Sequence, residues 1–407
     1  MSQFSFVPDK NPPANAETVN HRLLVQAGLV RQLMAGVYIY TPLGLAVLRK
    51  IEAIVRQGML ALGMQEILMP ALHPEANWRQ TGGWDKIDVL FKIKSQTGKN
   101  YALGQSHEEV VTPLMKEVIH SYKDLPQAVF QIQWKFRDEL RAKSGILRGR
   151  EFLMKDAYSF HLTQEDFENY YQKVKDAYCK IFAELDLPVK VTEASGGSFA
   201  EKISYEYMVV TEAGEDDIFY CPKCNYCINS EISEIKDDVC PKCGAKLVQA
   251  RASEAGNVFD LGQKFTKAFE LTVNAADNQK VYPTMGCYGI GISRAMGIVA
   301  ETHHDEKGLI WPENLAPAMV YLIGLGEAQT KANEIYQNLI NSGVEVIFDE
   351  RDLSAGAKFA AADLIGCPWR VVVSAKTGDK LELKSRKSEE VKLVTEGELL
   401  KAIKIGV

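Results

Sequence analysis

Apolar residues recur at helical spacing in the N-terminal part of the chain. Between residues 44 and 62 they occupy every third or fourth position: Leu45, Leu48, Ile51, Val55, Met59 and Leu62. This spacing predicts an amphipathic helix. Residues 66–70 are mostly apolar and end in Pro70, a pattern that predicts a short strand stopped by the proline.

Two further apolar stretches predict a β-hairpin. Residues 128–136 and 151–159 flank a polar loop that contains Ser144 and Gly145, which is typical of two long antiparallel strands with a flexible tip. A helix is predicted to begin after Thr163, because Glu165 and Asp166 lie in its first turn. Another helix is predicted over residues 292–301, after a glycine-rich turn.

Strands and helices alternate in the last quarter of the chain. Pro312 and Pro317 predict a hinge. Beyond it the pattern predicts strands over residues 320–324, 344–348 and 370–374, with helices over 329–342 and near 358–365. This alternation predicts a small α/β domain over residues 317–407.

Size and charge narrow the class of protein. A chain of 407 residues with 46% hydrophobic residues is expected to form two or three domains. No apolar run approaches the roughly 20 residues of a membrane span, and the first twenty residues lack the apolar core of a secretory signal, so we expect a cytoplasmic protein with no membrane contact. The net charge of -6 excludes a globally basic surface, so RNA contact must rest on local patches. One basic patch lies between Lys135 and Lys155, although a solvated helix face is an alternative.

Four of the eight cysteines follow a metal-site spacing. The pairs are Cys221-x-x-Cys224 and Cys240-x-x-Cys243, each within a Cys-Pro-Lys-Cys sequence. The spacing is typical of a structural Zn²⁺ bound by four thiolates, and it predicts a zinc-ribbon-like insertion over residues 219–253. A redox pair or vestigial cysteines are the alternatives. Cys227 is a further thiol that could replace a ligand or stay free.

Two segments carry arginines beside acidic or glycine residues. The first runs from Lys135 to Glu139 and resumes over residues 148–152, and the second runs from Gly286 to Arg294. Arginine binds carboxylates and phosphates with two hydrogen bonds and stays charged. The two segments resemble motifs 2 and 3 of class II aminoacyl-tRNA synthetases, and residues 44–70 resemble motif 1. Nearly the whole chain resembles the bacterial type of prolyl-tRNA synthetase.

The resemblance implies a multidomain α/β fold. A catalytic domain built on an antiparallel sheet is implied over residues 1–218, with motifs 1 and 2, and over residues 254–316, with motif 3. The zinc-ribbon-like insertion lies between these parts, and residues 317–407 are implied to bind the anticodon. The implied reaction is ATP- and Mg²⁺-dependent ligation of L-proline to tRNA(Pro) by a homodimer.

Motif 2 implies contacts with ATP. Arg137 corresponds to the residue that bridges the amino acid carboxylate and the α-phosphate, and Glu139 corresponds to the acceptor for the adenine amino group. Arg148 and Phe152 are implied to reach the γ-phosphate and to stack on adenine. In isolation, an Arg-x-Glu sequence in a strand is more often an ion pair.

Motif 3 implies the other side of the ATP site. Arg294 is implied to cover the second face of the adenine and to contact the γ-phosphate. Gly286, Gly289 and Gly291 let the backbone approach the nucleotide where a Cβ would collide. A lone Gly-x-Gly would indicate only a turn, but both motifs occur here in the family's order.

The segment around Glu108 resembles the proline-binding loop of the family. A secondary ammonium offers two N–H donors, and Glu108 and Ser106 are suitable acceptors, with serine where the family usually has threonine. Residues 156–161 and Cys287 resemble the pocket wall, with His161 as a candidate neighbour of the substrate nitrogen and Arg137 at the carboxylate. Alternatively, the Ser-x-Glu sequence caps a helix that begins at Glu108.

Other positions depart from the family pattern. Asn257 stands where most bacterial relatives have histidine, and Ala361 where relatives often have aspartate. In the C-terminal domain Glu350, Arg351, Lys358 and Asp363 resemble the anticodon-reading residues. Only some thirty-five residues separate the strands that flank the insertion, whereas many bacterial relatives carry a large editing insertion there. We therefore expect no editing of mischarged alanyl-tRNA in cis.

Two other functions remain open at this point. A synthetase-like paralogue could have kept the fold as an RNA-binding or regulatory protein, and a related class II enzyme could act on threonine, serine or histidine. The retained arginines argue against the first alternative. Glu108 and the Gly286–Gly289 sequence favour proline.

Overall fold

The computed structural model describes residues 1, 5–9, 11–14, 16–197, 202–235 and 237–404. Two compact units are present. The larger comprises Met34–Val37 and Glu52–Ile298, and the smaller comprises Met1–Leu33, Tyr38–Ile51 and Val299–Val407. Among the described residues, no helix combines the length and apolar character needed to cross a membrane.

Helices and strands are interspersed along the described part of the chain. The α-helices are α1 (Val19–Gln26), α2 (Pro42–Ala61), α3 (Glu75–Thr81), α4 (Gly83–Lys86), α5 (Glu108–Lys116), α6 (Gln164–Glu184), α7 (Lys264–Ala268), α8 (Ile292–Thr302), α9 (Gln329–Asn341), α10 (Ala355–Ile365) and α11 (Glu396–Lys404). The strands are β1 (Val30–Met34), β2 (Val37–Tyr40), β3 (Gln65–Glu66), β4 (Leu72–Pro74), β5 (Lys92–Lys94), β6 (Asn100–Leu103), β7 (Gln127–Phe136), β8 (Glu151–His161), β9 (Lys190–Ala194), β10 (Ser204–Val210), β11 (Asp216–Tyr220), β12 (Cys227–Asn229), β13 (Val248–Gly262), β14 (Val273–Asn274), β15 (Lys280–Val281), β16 (Thr284–Gly291), β17 (Val320–Gly324), β18 (Val346–Asp349), β19 (Trp369–Val373), β20 (Leu381–Ser385) and β21 (Val391–Val394).

A nine-stranded, mostly antiparallel sheet organises the described part of the larger unit. Its strand order is β10-β9-β12-β11-β13-β16-β8-β7-β3. The predicted hairpin is confirmed, because β7 and β8 pair antiparallel from Gln127 opposite Phe160 to Phe136 opposite Glu151. The helix after Thr163 is confirmed as α6, and the Thr163 side chain accepts from the Asp166 N–H at 3.1 Å.

Residues on β8 alternate between the two faces of the sheet, as the pleat requires. On one face Tyr158 and Phe160 pack in a core cluster with Cys287. On the opposite face Lys155 donates to the Tyr178 hydroxyl and His161 contacts Asp166, both of which belong to α6. This alternation decides which side chains share a site.

The predicted strand over residues 66–70 is shorter than expected. Gln65 and Glu66 pair with β7, and the Ile67 N–H donates to the Phe130 carbonyl at 2.8 Å. Further along, side chains replace the strand partner: the Met69 N–H donates to Gln131 Oε1 and Gln133 Nε2 donates to the Met69 carbonyl, both at 2.9 Å. The predicted helix over residues 44–62 is confirmed as α2, and that over 292–301 as α8.

The cysteine-rich segment is joined to the catalytic sheet. β11 and β12 are strands of the nine-stranded sheet, and β11 pairs antiparallel with β13 from Asp216 opposite Ala252 to Tyr220 opposite Val248. β13 continues without interruption to Gly262, where it pairs with β16. One strand therefore belongs both to the predicted insertion and to the second part of the predicted catalytic domain.

The smaller unit contains a five-stranded sheet of order β18-β17-β19-β20-β21. β17 is parallel to β18 and β19, while β20 and β21 are antiparallel additions. The predicted α/β alternation is confirmed, although β20, β21 and α11 were not predicted. The predicted hinge is wrong: Trp311 and Leu315 are buried, and the Trp311 indole donates to the Ile365 carbonyl at 2.9 Å.

Candidate active site

Arg137 follows the last residue of β7 and is held by the neighbouring strand. Its backbone N–H donates to the Arg150 carbonyl at 2.8 Å, and its guanidinium carbon lies 5.2 Å from the centroid of the Phe152 ring. The buried Nε has no hydrogen-bond partner among the described residues. Burial and the nearby charge of Arg294 lower the pKa of Arg137. A cation with an unused donor at this position is suited to bind an anion.

Arg148 is bound from two directions. Its Nε and Nη2 donate to Glu139 Oε2 at 2.9 and 2.7 Å, and its Nη1 donates to Glu215 Oε2 at 2.9 Å. Glu139 thus pairs with Arg148 and not with Arg137. Glu215 was not identified from the sequence, because it belongs to no recognisable motif.

Arg294 lies in the first turn of α8 and contacts β13. Its Nη1 donates to the Glu254 carbonyl at 3.0 Å and to Glu254 Oε2 at 3.1 Å. Asn257 Nδ2 donates to the other carboxylate oxygen of Glu254 at 2.5 Å. β13 therefore supplies the acidic partner of one predicted ATP arginine.

The glycines of the second motif have different roles. A Cβ on Gly289 would lie 2.5 Å from Met154 Cε and 2.7 Å from Asn257 Oδ1, and one on Gly291 would lie 3.0 Å from Arg294 Cβ. These two glycines leave room for Met154, Asn257 and Arg294, the last of which belongs to the predicted ATP site. The expectation for Gly286 is wrong, because its Cβ would lie 2.2 Å from the Tyr288 hydroxyl oxygen, on the face of the sheet that carries α6.

Glu108 is the first residue of α5 and is almost fully buried. Its Oε1 accepts from the Cys287 thiol at 3.0 Å, whereas its buried Oε2 has no hydrogen-bond partner among the described residues. Burial raises the pKa of Glu108, although hydrogen bonds from the Ser106 hydroxyl and the Cys287 thiol oppose this shift. The N-cap residue of α5 is His107 and not Ser106, and it makes no side-chain cap.

Glu108 also lines a cavity of about 230 Å³. The other lining residues include Gln105, Glu109, Thr81 and Phe265. An acceptor oxygen without a partner at such a cavity can receive an N–H donor from a small ligand.

A buried polar network lies beside Glu108. Lys135 Nζ is 2.7 Å from Asp156 Oδ1 and 2.7 Å from His107 Nδ1. The Tyr158 hydroxyl donates to Asp156 Oδ2 at 2.9 Å and accepts from the His107 N–H at 3.0 Å. Burial, together with the charge of Lys135, lowers the pKa of His107 to about 3. His107 is therefore neutral, and its Nδ1 accepts from the ammonium.

The structure does not bring His161 to this site. His161 lies on the face of β8 opposite to Tyr158, its Nδ1 is 2.6 Å from Asp166 Oδ2, and its ring is 5.6 Å from the Phe167 ring. Within residues 156–161 the site-facing polar groups are those of Asp156 and Tyr158. The sequence contained a signal for this: counting in steps of two from Phe152 selects Asp156 and Tyr158 and excludes His161.

The four residues predicted to read the anticodon have partners within the smaller unit. Arg351 forms two 2.7 Å hydrogen bonds to Asp349, and buried Lys358 donates to the Gly324 carbonyl at 2.8 Å. Asp363 accepts from Arg370 at 3.2 Å, and Glu350 accepts from the N-terminal amino group at 2.8 Å.

The four cysteines of the two Cys-Pro-Lys-Cys sequences come together. Their sulfurs all lie within 4.8 Å of one another, with 3.4 Å between Cys221 and Cys243 and 3.6 Å between Cys224 and Cys240. A disulfide would require about 2.05 Å, whereas Zn–S bonds of about 2.3 Å in a tetrahedron separate sulfurs by about 3.8 Å. The geometry therefore fits one Zn²⁺. Cys227 lies outside the cluster, on β12, 3.1 Å from the Thr192 hydroxyl.

Comparisons with known proteins identify both parts of the chain. Residues 91–303 match the family model described as the tRNA synthetase class II core domain (G, H, P, S and T), and residues 319–405 match the anticodon binding domain. These matches, with the antiparallel sheet and its arginines, define a class II aminoacyl-tRNA synthetase.

Curated relatives specify the family. Proline–tRNA ligase from Wolbachia sp. subsp. Drosophila simulans (strain wRi) is 38% identical over 96% of this chain and 96% of that protein. Proline–tRNA ligase from Rhizorhabdus wittichii is also 38% identical, over 95% of this chain and 96% of that protein. The chain belongs to the proline–tRNA ligase family. Prolyl-tRNA synthetase from Cryptosporidium parvum, solved with halofuginone and AMPPNP, shares the fold: its TM-score is 0.78 at 20% identity, over 95% of this chain and 74% of that one.

Proposed function

We propose that the protein ligates L-proline to tRNA(Pro) in two steps. A proline carboxylate oxygen attacks the α-phosphorus of ATP, the bond to the β-phosphate breaks, and pyrophosphate leaves. The ribose hydroxyl of the terminal adenosine then attacks the carbonyl of prolyl-adenylate, and AMP leaves. The observation that carries this proposal is a buried carboxylate, Glu108, with an unused oxygen, on the same unit as the partly unpaired cation Arg137.

The residues of the site act by positioning and charge, which phosphoryl and acyl transfer mainly require. Glu108 Oε2 accepts from the secondary ammonium of proline, with the Ser106 hydroxyl oxygen as a second acceptor, while the Cys287 thiol fixes the other oxygen of Glu108. Arg137 binds the substrate carboxylate and the α-phosphate. Arg148 and Arg294 bind the γ-phosphate, Phe152 stacks on the adenine, and Glu139 accepts from its amino group.

Two metal ions complete the proposal. Glu254 and Asn257, which lie beside Arg294, would hold Mg²⁺, because this ion prefers oxygen donors, and it would supply positive charge to the phosphates. The four clustered cysteines would hold a structural Zn²⁺, whose role is to stabilise the local fold.

The proposal extends to assembly, location and tRNA. We infer a cytoplasmic homodimer, supported by exposed apolar side chains around motif 1: Leu60, Leu68 and Leu72 are 51%, 76% and 48% exposed. Glu350, Arg351, Lys358 and Asp363 are proposed to read the anticodon, and editing in cis is proposed to be absent. Sedimentation that shows a stable monomer would contradict the homodimer.

Amino-acid-dependent ATP–pyrophosphate exchange tests the function. The panel contains proline, alanine, cysteine, threonine, serine and histidine. We expect proline to drive exchange best and Arg137→Ala to abolish it. The matched control is Arg251→Ala, which removes an exposed arginine of β13 and should leave exchange unchanged. No exchange with any amino acid, or better exchange with another member of the panel, would refute the proposal.

A further inference from the structure

We propose that Glu215 is a positioning residue through which the cysteine module controls ATP binding. The inference rests on the proposed function, because it assigns Arg148 to ATP. Glu215 holds Arg148 in place, and the metal-bound module holds the strand pair that carries Glu215. Loss of either should weaken ATP binding and leave proline binding nearly unchanged.

The first step is the contact between Glu215 and the motif 2 loop. Glu215 Oε2 accepts from Arg148 Nη1 at 2.9 Å, and Glu215 Oε1 lies 3.7 Å from Lys143 Nζ on the same loop. Glu139, the other partner of Arg148, belongs to the same hairpin segment as Arg148 itself. Glu215 is therefore the partner that ties the arginine to a different part of the sheet.

The second step is the rigid placement of Glu215. It directly precedes β11, and the preceding residue, Gly214, presses against β13. A Cβ on Gly214 would lie 2.3 Å from the carbonyl carbon and 2.6 Å from the nitrogen of Ala252. Two residues further along β13, Glu254 binds Arg294. The residue before β11 and one residue of β13 thus supply acidic partners to two predicted ATP arginines.

The third step connects this strand pair to the cysteine module. β11 ends at Tyr220, directly before the ligand Cys221, and β13 begins at Val248, which lies opposite Tyr220. Among the described residues around the cluster the apolar core is small, and Tyr226, Ile228 and Leu247 are buried in it. So small a core generally needs a bound metal to be stable. Without the metal, the ends of β11 and β13 are expected to fray.

The variants for the test lie in one turn. Glu215→Gln removes the charge with little change of shape, and Glu215→Asp keeps the charge on a shorter side chain. Glu212→Gln is the matched control, because Glu212 precedes Gly214 in the same turn. Each variant is compared with wild type, as purified and after chelation of the metal, with metal content measured by mass spectrometry.

Three measurements separate positioning from unfolding. Direct titration with a non-hydrolysable ATP analogue gives the Kd for nucleotide, exchange assays give KM for ATP and for proline, and amide hydrogen exchange follows residues 216–220 and, as an internal reference, β7 and β8. For Glu215→Gln we expect Kd and KM for ATP to rise about threefold to tenfold, the range of a half-buried ion pair, with KM for proline within about twofold. Glu215→Asp should recover part of the loss, and Glu212→Gln should match wild type.

Chelation provides the decisive comparison. In wild type it should release about one metal per chain, raise exchange of residues 216–220 while β7 and β8 stay protected, and weaken nucleotide binding. In Glu215→Gln it should weaken nucleotide binding little further, because the same contact is already lost. Unchanged nucleotide affinity after chelation, additive losses, or an equal rise in KM for proline would overturn the inference. If no amino acid supports exchange, the proposed function fails, but nucleotide titration still tests Glu215.

Discussion

The buried ion pair between Lys135 and Asp156 makes a quantitative prediction. Lys135 is fully buried, the Asp156 side chain is 4% exposed, and their charged atoms are 2.7 Å apart. The Lys135 charge holds the pKa of Asp156 below its usual value despite burial. The variant Lys135→Met keeps most of the side-chain volume but removes the ammonium, and with it both the charge beside Asp156 and the hydrogen bond to His107 Nδ1.

The expected loss is large because a buried carboxylate is left without its cation. Asp156 would keep its hydrogen bonds from Tyr158 and Gln131, both at 2.9 Å, but these do not neutralise the charge. Removing one partner of a buried ion pair typically costs about 3–5 kcal/mol, whereas replacing both partners by uncharged groups costs much less. We therefore expect Lys135→Met to lose about 3–5 kcal/mol, and Lys135→Met with Asp156→Asn to regain about 2 kcal/mol.

Native-state hydrogen exchange of β7 and β8 is the suitable assay. A chain with two compact units does not justify a single two-state unfolding free energy, but the slowest amides of one sheet report its local stability. Lys94→Met, an exposed lysine on β5, serves as control and should change stability by less than about 0.5 kcal/mol. A loss below about 1 kcal/mol for Lys135→Met, or a double variant no more stable than the single one, would refute the reasoning.

Three further predictions concern the site. Burial and the charge of Glu108 raise the pKa of Glu109 to about 8. The protonated Glu109 side chain therefore contributes stability that is fully present below about pH 4.5 and is lost as the pH rises through 8. Glu109→Gln should thus be more stable than wild type at pH 8 but not at pH 4.5, and melting curves that shift equally at both pH values would contradict this. Gly289→Ala should raise KM for ATP about tenfold and lower the stability of the protein by about 1–3 kcal/mol, because the new Cβ would lie 2.5 Å from Met154 Cε. Partial rescue by Met154→Ala in exchange assays would identify that clash as the cause. Cys287→Ser keeps a donor for Glu108 and should change KM for proline less than about threefold, whereas Cys287→Val should raise it about tenfold; equal effects would exclude a role for the hydrogen bond.

Long periodic segments were predictable from the sequence alone. The β7–β8 hairpin, α2, α6 and the alternating elements of the smaller unit all have many residues that repeat one pattern, so single exceptions do not hide the signal. The strand predicted over residues 66–70 is too long, because the backbone of Met69 is bound by the side chains of Gln131 and Gln133, which are distant in sequence. Local patterns carry no information about such partners.

The site was predictable only where residue type was specific. The clustering of the four cysteines was expected from their spacing, and Glu108 does accept a hydrogen bond from Cys287. The prediction that His161 lies near the substrate is wrong, because the family resemblance identifies only the segment 156–161. The alternation of side chains along the strand decides which residues of that segment face the site. Glu215 and the pairing of Lys135 with His107 depend on tertiary contacts, and no sequence motif indicates them.

Because Tyr220 on β11 pairs with Val248 on β13, the segment between them could be replaced by another one. The chain leaves the sheet at Tyr220 and returns to it at Val248, which lies directly opposite. An inserted segment therefore fits here if its first and last residues lie close together. Lengthening such a loop is inexpensive, about 0.6 kcal/mol for each doubling of its length. This position can therefore accept segments of very different size, provided that the graft keeps β11 against β13, and it is a natural point at which to exchange the cysteine module for another domain.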